Sequence, residues 1–429
     1  MPGTRLLVIT GLLIACLLLA SCGSEAPPPL PARVAYEELA RKAQGVDADV
    51  PNGWQHLVDA HAALNALEAP VLARNPDVHA PYYDLVASGT PVSAEDEPYV
   101  RVATEVLALV PGSEVEKQLQ SLADARFLFR EPQWPMDLET SGKARKLARL
   151  CAGWARLAAE QGNWPEFERA TLATLSVGWA MQRNMSLSDV LNGQAIEALA
   201  TEDLHTFCEA VPSGSLAKIA EWLEEHPSVT DFNWDFDVQL AIDEMVQLSR
   251  AGDPGSKKVA RHAQQIGELR QLVEPIATLD RPSRQVHPNW AEIAGQIPDM
   301  ESPHLMKPVD PTIVSFAMRL LPYDLQTLRR LAIRTHLAIE RYRRVNGRYP
   351  ESLQSLVPAF LPAVESERLS GKPLVYTVSA DGSSFTLYAV GIDAQDNGGN
   401  FHPESYHNAL KEGAGEGYDY PIWPLPQQP

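Results

Sequence analysis

Between Val34 and about Arg344 the apolar side chains recur every three or four residues and strand-like alternation is scarce. A chain with that period can bury its apolar surface only as packed α-helices. In 143–161, Leu147, Leu150, Cys151, Trp154, Leu157 and Ala158 fall at i, i+3, i+4, i+7, i+10 and i+11, one stripe of a helix. Gln161-Gly162-Asn163-Trp164-Pro165 then stops it. Gly162 suits the position just past a helix end, and Pro165 suits the first turn of the next helix. Second and third helices are expected over 166–182 and 188–209, with others at 54–68, 115–129, 214–225, 238–250 and 257–279. Helices joined by tight turns form αα-hairpins. The expected fold class is therefore mainly α: a solenoid- or bundle-like body of helical hairpins, followed by a small C-terminal α+β domain made of a long helix and a β-hairpin.

The chain has 429 residues, of which 45% are apolar and 21% charged. This composition buries a core and argues against global disorder. Its length leaves room for two or three ordinary domains. The 55 acidic residues outnumber the 36 basic ones, for a net charge of −19. Such a surface repels phosphate backbones, so nucleic acid is excluded as a partner.

At the N-terminus, Arg5 precedes an apolar run from Leu6 to Ala20. The run is shorter than the roughly 20 residues of a membrane-spanning helix and fits a secretory signal. It ends in Leu19-Ala20-Ser21-Cys22, which resembles the lipobox of bacterial lipoproteins. The resemblance implies cleavage before Cys22 and a thioether-linked diacylglycerol on its sulfur. It also implies export, with the chain anchored to the cell membrane or outer membrane and its body in the periplasm or outside the cell. An ordinary signal peptide with an incidental Cys22 is the other reading. Residues 22–33 form a proline-rich tether that is expected to be extended. Gly23, rather than Asp, resembles the pattern of lipoproteins not retained at the inner membrane. Once Cys16 leaves with the signal and Cys22 carries lipid, Cys151 and Cys208 remain. Export would let a disulfide between them persist, whereas their helical setting suits two unpaired buried thiols.

The stretch Ala158 to Glu168 resembles the turn of a tetratricopeptide-type hairpin, but no second copy stands 34 residues away. Pro282, Pro288, Pro298, Pro303, Pro308 and Pro311 mark 281–311 as a linker. A long helix is expected over 312–345, broken near Pro322 and stopped at Asn346-Gly347. A short helix started by Pro350 follows. The runs 374–378 and 385–390 then alternate around Ala380-Asp381-Gly382, a hairpin signal.

The order of helix, Asn346-Gly347-Arg348-Tyr349-Pro350, Ser352-Leu353, Gly371-Lys372-Pro373-Leu374, Phe385 to Asp393 and Asp396-Asn397-Gly398-Gly399 resembles the globular end of type II secretion major pseudopilins. The resemblance spans about 325–400. It implies a helix packed on a small antiparallel sheet and an acidic loop that binds calcium, with Asp393 and Asp396 at the acidic positions and Asn397 as a third oxygen donor. A solvated turn carrying two acids is the other reading. The family's Asp-Pro pair is replaced by Ser366 to Ser370. The chain also begins with a lipobox rather than a polymerising pseudopilin helix, which argues against a filament role. The resulting division is signal 1–21, tether 22–33, helical body 34–280, linker 281–311, pseudopilin-like domain 312–400 and irregular tail 401–429.

No zincin, nucleophile-elbow or phosphate-loop motif occurs in the sequence. His56 and His61 stand five apart, off a shared helix face; His402 and His407, near the acidic loop, invite a metal reading, but histidines of an irregular tail are the expected account. Arg329, Arg330, Arg334, Arg341, Arg343 and Arg344 are expected to meet acids elsewhere in the chain or to face solvent. Asp231, Asp235 and Asp237 interleave with Phe232, Trp234 and Phe236, which in a cleft would suit a glycan hydrolase. The expectation is nonetheless a non-catalytic binding or scaffolding role at a membrane surface, with an envelope protein or glycan as partner. A glycan hydrolase and an accessory of a secretion system are the alternatives.

Overall fold

A computed structural model describes residues 36–89, 91–130, 138–184, 187–227, 310–391, 393–402 and 417–424. The signal, the tether, the expected helices at 238–250 and 257–279 and nearly all of the expected linker lie outside these residues. The chain is mainly helical, with a small antiparallel sheet near its C-terminus. The helices are α1 Tyr36–Gln44, α2 Trp54–Arg74, α3 Tyr83–Ser88, α4 Glu97–Leu107, α5 Glu114–Ala123, α6 Leu138–Glu160, α7 Trp164–Gln182, α8 Leu187–Phe207, α9 Ser213–Glu225 and α10 Asp310–Asn346. The 3₁₀ turn Leu353–Leu356 precedes strands β1 Val375–Val378, β2 Phe385–Ala389 and β3 Tyr420–Trp423.

The α6–α7 hairpin forms as its turn residues dictate. Gly162, at φ 68°, donates to Ala159 O, and Asn163 donates to Ala158 O. These two bonds satisfy carbonyls that a helix end leaves open, and the left-handed residue they need is a glycine. Pro165 opens α7, where a missing N–H costs nothing. The α7–α8 crossing is tighter still: a Cβ on Gly178 would lie 2.7 Å from Gly193 O. Two facing glycines therefore let the backbones touch.

A continuous core runs through α2 to α9 and takes in Ile333 and Leu337 of α10. Leu328, Ala332, Ala338 and Ile339 of α10 belong instead to a second core with Tyr349, Leu356, Phe385, Leu387 and Ile422. The 37-residue α10 thus lies between body and sheet with apolar residues on both sides. It also runs on through Pro322, where the sequence suggested a break. In the sheet β2 is central, paired antiparallel with β1 and with β3. Thus part of the expected irregular tail returns as an edge strand.

Candidate functional site

The side chains of chemical interest gather in two places: the seam between α10 and the body, and the acidic loop after β2. At the seam, Arg330 Nη1 lies 2.7 Å from both carboxylate oxygens of Glu197 on α8, with both side chains buried. Its Nη2 donates to Leu223 O at 3.1 Å and to His226 O. A guanidinium is tolerated in a dry seam when its donors are filled in this way. Arg334 bridges Glu224 of α9 and Glu365, at 2.6 and 2.8 Å. Arg344 donates to Val211 O, Cys208 O and Glu209 O, carbonyls that the end of α8 leaves open. Arg330, Arg334 and Arg344 of the basic run thus meet acids and carbonyls of the body, whereas Arg329 reaches Tyr420, Arg341 lies over the Phe360 ring and Arg343 pairs with Glu340 of α10 itself.

In the acidic loop, Asp393 accepts from Gln395 N at 3.0 Å and Gly417 N at 2.8 Å. The Asn397 side-chain amide reaches Asp393 Oδ2 at 3.3 Å. Asp396 accepts from Gly398 N and from the Tyr388 hydroxyl, both at 2.9 Å. Asp419, just before β3, is fully buried and accepts from Asn397 N at 3.2 Å and Gly399 N at 2.7 Å. Burial raises the Asp419 carboxyl above its ordinary range, the amides of Asn397 and Gly399 pull it back, and the like charge of Asp396 raises it again. Burial, the hydrogen bond to Asp396 and that carboxylate's charge push the Tyr388 hydroxyl up to about 12.

Asp393, Asp396 and Asn397 are therefore brought into one loop, with Asp419 as a third acid that the sequence reading missed. The alternation of Tyr418, Tyr420 and Ile422 behind it was a strand signal, but a short one. Among the described residues no three His, Cys, Asp or Glu side chains stand close enough to hold a metal ion together. The carboxylates instead hold backbone and side-chain N–H groups of their own turn. A calcium ion here would need the loop to tighten and would draw on backbone oxygens as well.

Cys151 and Cys208 are both buried free thiols, so the structure contains no bridge between them. Burial pushes the Cys151 thiol up to about 12, which leaves it unreactive at neutral pH. Cys22, His407 and the aromatic stretch 231–237 with Asp231, Asp235 and Asp237 lie outside the described residues. Among the described residues no helix is long and apolar enough to cross a membrane. Comparison with models of protein families, with curated proteins and with solved structures finds no match to this chain.

Proposed function

We propose that this chain is a lipid-anchored envelope protein with a non-catalytic binding or scaffolding role, held to a membrane through a diacylglyceryl thioether at Cys22. The observation that carries the reading is the run Leu19-Ala20-Ser21-Cys22 at the end of a short apolar segment, followed by a proline-rich stretch. Several acyl chains on one cysteine, at ~0.8 kcal/mol per buried CH₂, make such an anchor firm. The way α10 ties the terminal sheet to the helical body supports a rigid platform for partners. Labelled palmitate should appear on the purified chain, and Cys22→Ser should abolish the label and release the protein from the membrane fraction. An unlabelled chain, or a serine variant that stays with the membrane, would overturn the reading.

The terminal module adds a calcium proposal. The charge of Asp396 raises the cost of ionising the buried Asp419, and a cation would relieve that repulsion. Millimolar Ca²⁺ should raise the melting temperature of the full chain but not that of Asp393→Ala/Asp396→Ala. An unchanged wild-type melting temperature removes the metal.

A further inference from the structure

His205 on α8 and His336 on α10 are 131 residues apart in the chain, yet their Nδ1 atoms lie 2.8 Å apart. His336 is fully buried and His205 nearly so. The His336 ring centroid stands 4.6 Å from that of Trp423 on β3 and 5.3 Å from that of Phe385 on β2. Its Nε2 is buried without a hydrogen-bond partner.

An Nδ1-to-Nδ1 bond requires a proton on one ring and a lone pair on the other. Two neutral imidazoles in opposite tautomers satisfy it. A first added proton must go to Nε2 of the donating ring and leaves a buried cation. A second places two N–H groups head to head, and the bond is lost.

Most of the charged groups near the pair, among the described residues, are already engaged elsewhere. On α8, Asp203 is bonded to Arg156 of α6, Cys208 is a neutral buried thiol and Glu202 points to the surface side. On α10, Arg330 holds Glu197 and Arg329 reaches Tyr420 of β3, while Glu340, one turn on from His336, gives one carboxylate oxygen to Arg343 and keeps the other buried without a hydrogen-bond partner. From β2 the apolar Phe385 ring meets His336.

We propose that this imidazole pair is an acid-released latch: neutral, it pins α10 and the sheet that α10 carries onto α8, and on proton uptake it opens that seam. Burial holds both rings below their ordinary range, His205 at about 4, with the charge of His205 further lowering His336. The sign follows. The contribution of the pair is complete above the ordinary imidazole value near 6.5 and is lost as pH falls from there toward about 4.

The test is hydrogen exchange of the full-length chain in detergent from pH 7.5 to 4.5, corrected for the intrinsic rate. Opening of the segments around His205 and His336 should grow by up to about tenfold per pH unit for each proton taken up. His205→Leu/His336→Leu should lose that growth. Protection of the seam that is independent of pH in the wild type, or the same growth in the double variant, overturns the latch. Should the double variant fail to fold, ¹⁵N-histidine spectra of the wild type decide: both rings neutral at pH 6 supports the latch, and an imidazolium at either ring overturns it.

Discussion

Arg330 and Glu197 show what one residue contributes at this seam. Their pairing removes two charges from water, so its net worth is small, but the loss of one partner leaves the other buried and unpaired. Arg330→Met is expected to cost about 3–5 kcal/mol in urea unfolding, and Glu197→Gln added to it should recover part of that loss. A second residue-scale expectation concerns Asp203. Burial raises its carboxyl to about 7, while Arg156 pulls the other way. A raised acid binds its proton more tightly when folded, so its contribution is present below the ordinary value near 4 and fades as pH rises to about 7. Relative to wild type, Asp203→Asn should therefore gain stability as pH rises from 4 to 8; an equal difference at both ends would refute this. Neither residue could be singled out from sequence. Asp203 and Glu197 sit among many acids, and only their depth in the fold distinguishes them. By contrast, Asp393, Asp396 and Asn397 were legible as neighbours because a Gly-rich loop keeps them within four positions of one another.

At the level of elements, the long periodic segments at 143–161 and 166–182 correspond closely to α6 and α7, because an amphipathic stripe with a glycine stop leaves little choice. The short helices α1, α3 and α4 and the strand β3 were not anticipated, since so few residues carry too little period to read. Two glycines separate local from tertiary causes. Gly162 has open space around its Cα, so Gly162→Ala pays only for the left-handed backbone, about 1 kcal/mol. A Cβ on Gly193 would sit inside van der Waals contact with Gly178 O, so Gly193→Ala must push α7 and α8 apart. The expected cost is about 1–3 kcal/mol or more in thermal or urea melts. If both substitutions cost the same, the close crossing does not govern this hairpin.

For the whole molecule, α10 decides how the parts combine, because it contributes to the body's core and to the sheet's core at once. Ending the chain at His402 would remove β3, with it the buried Ile422 and the Trp423 ring against His336. At ~1.5–3 kcal/mol for each large apolar side chain, the sheet should lose about 2–5 kcal/mol and become sensitive to protease at neutral pH. A truncated chain as resistant as the full one would show that β3 is dispensable. The helical class, the turn chemistry at Gly162 and the hairpin around Asp381 were readable locally, since each follows from backbone geometry within a few residues. That Asp419 joins the acidic loop and that His205 meets His336 emerges in the fold alone. Those outcomes depend on contacts between distant segments, whose energies no local period or spacing records.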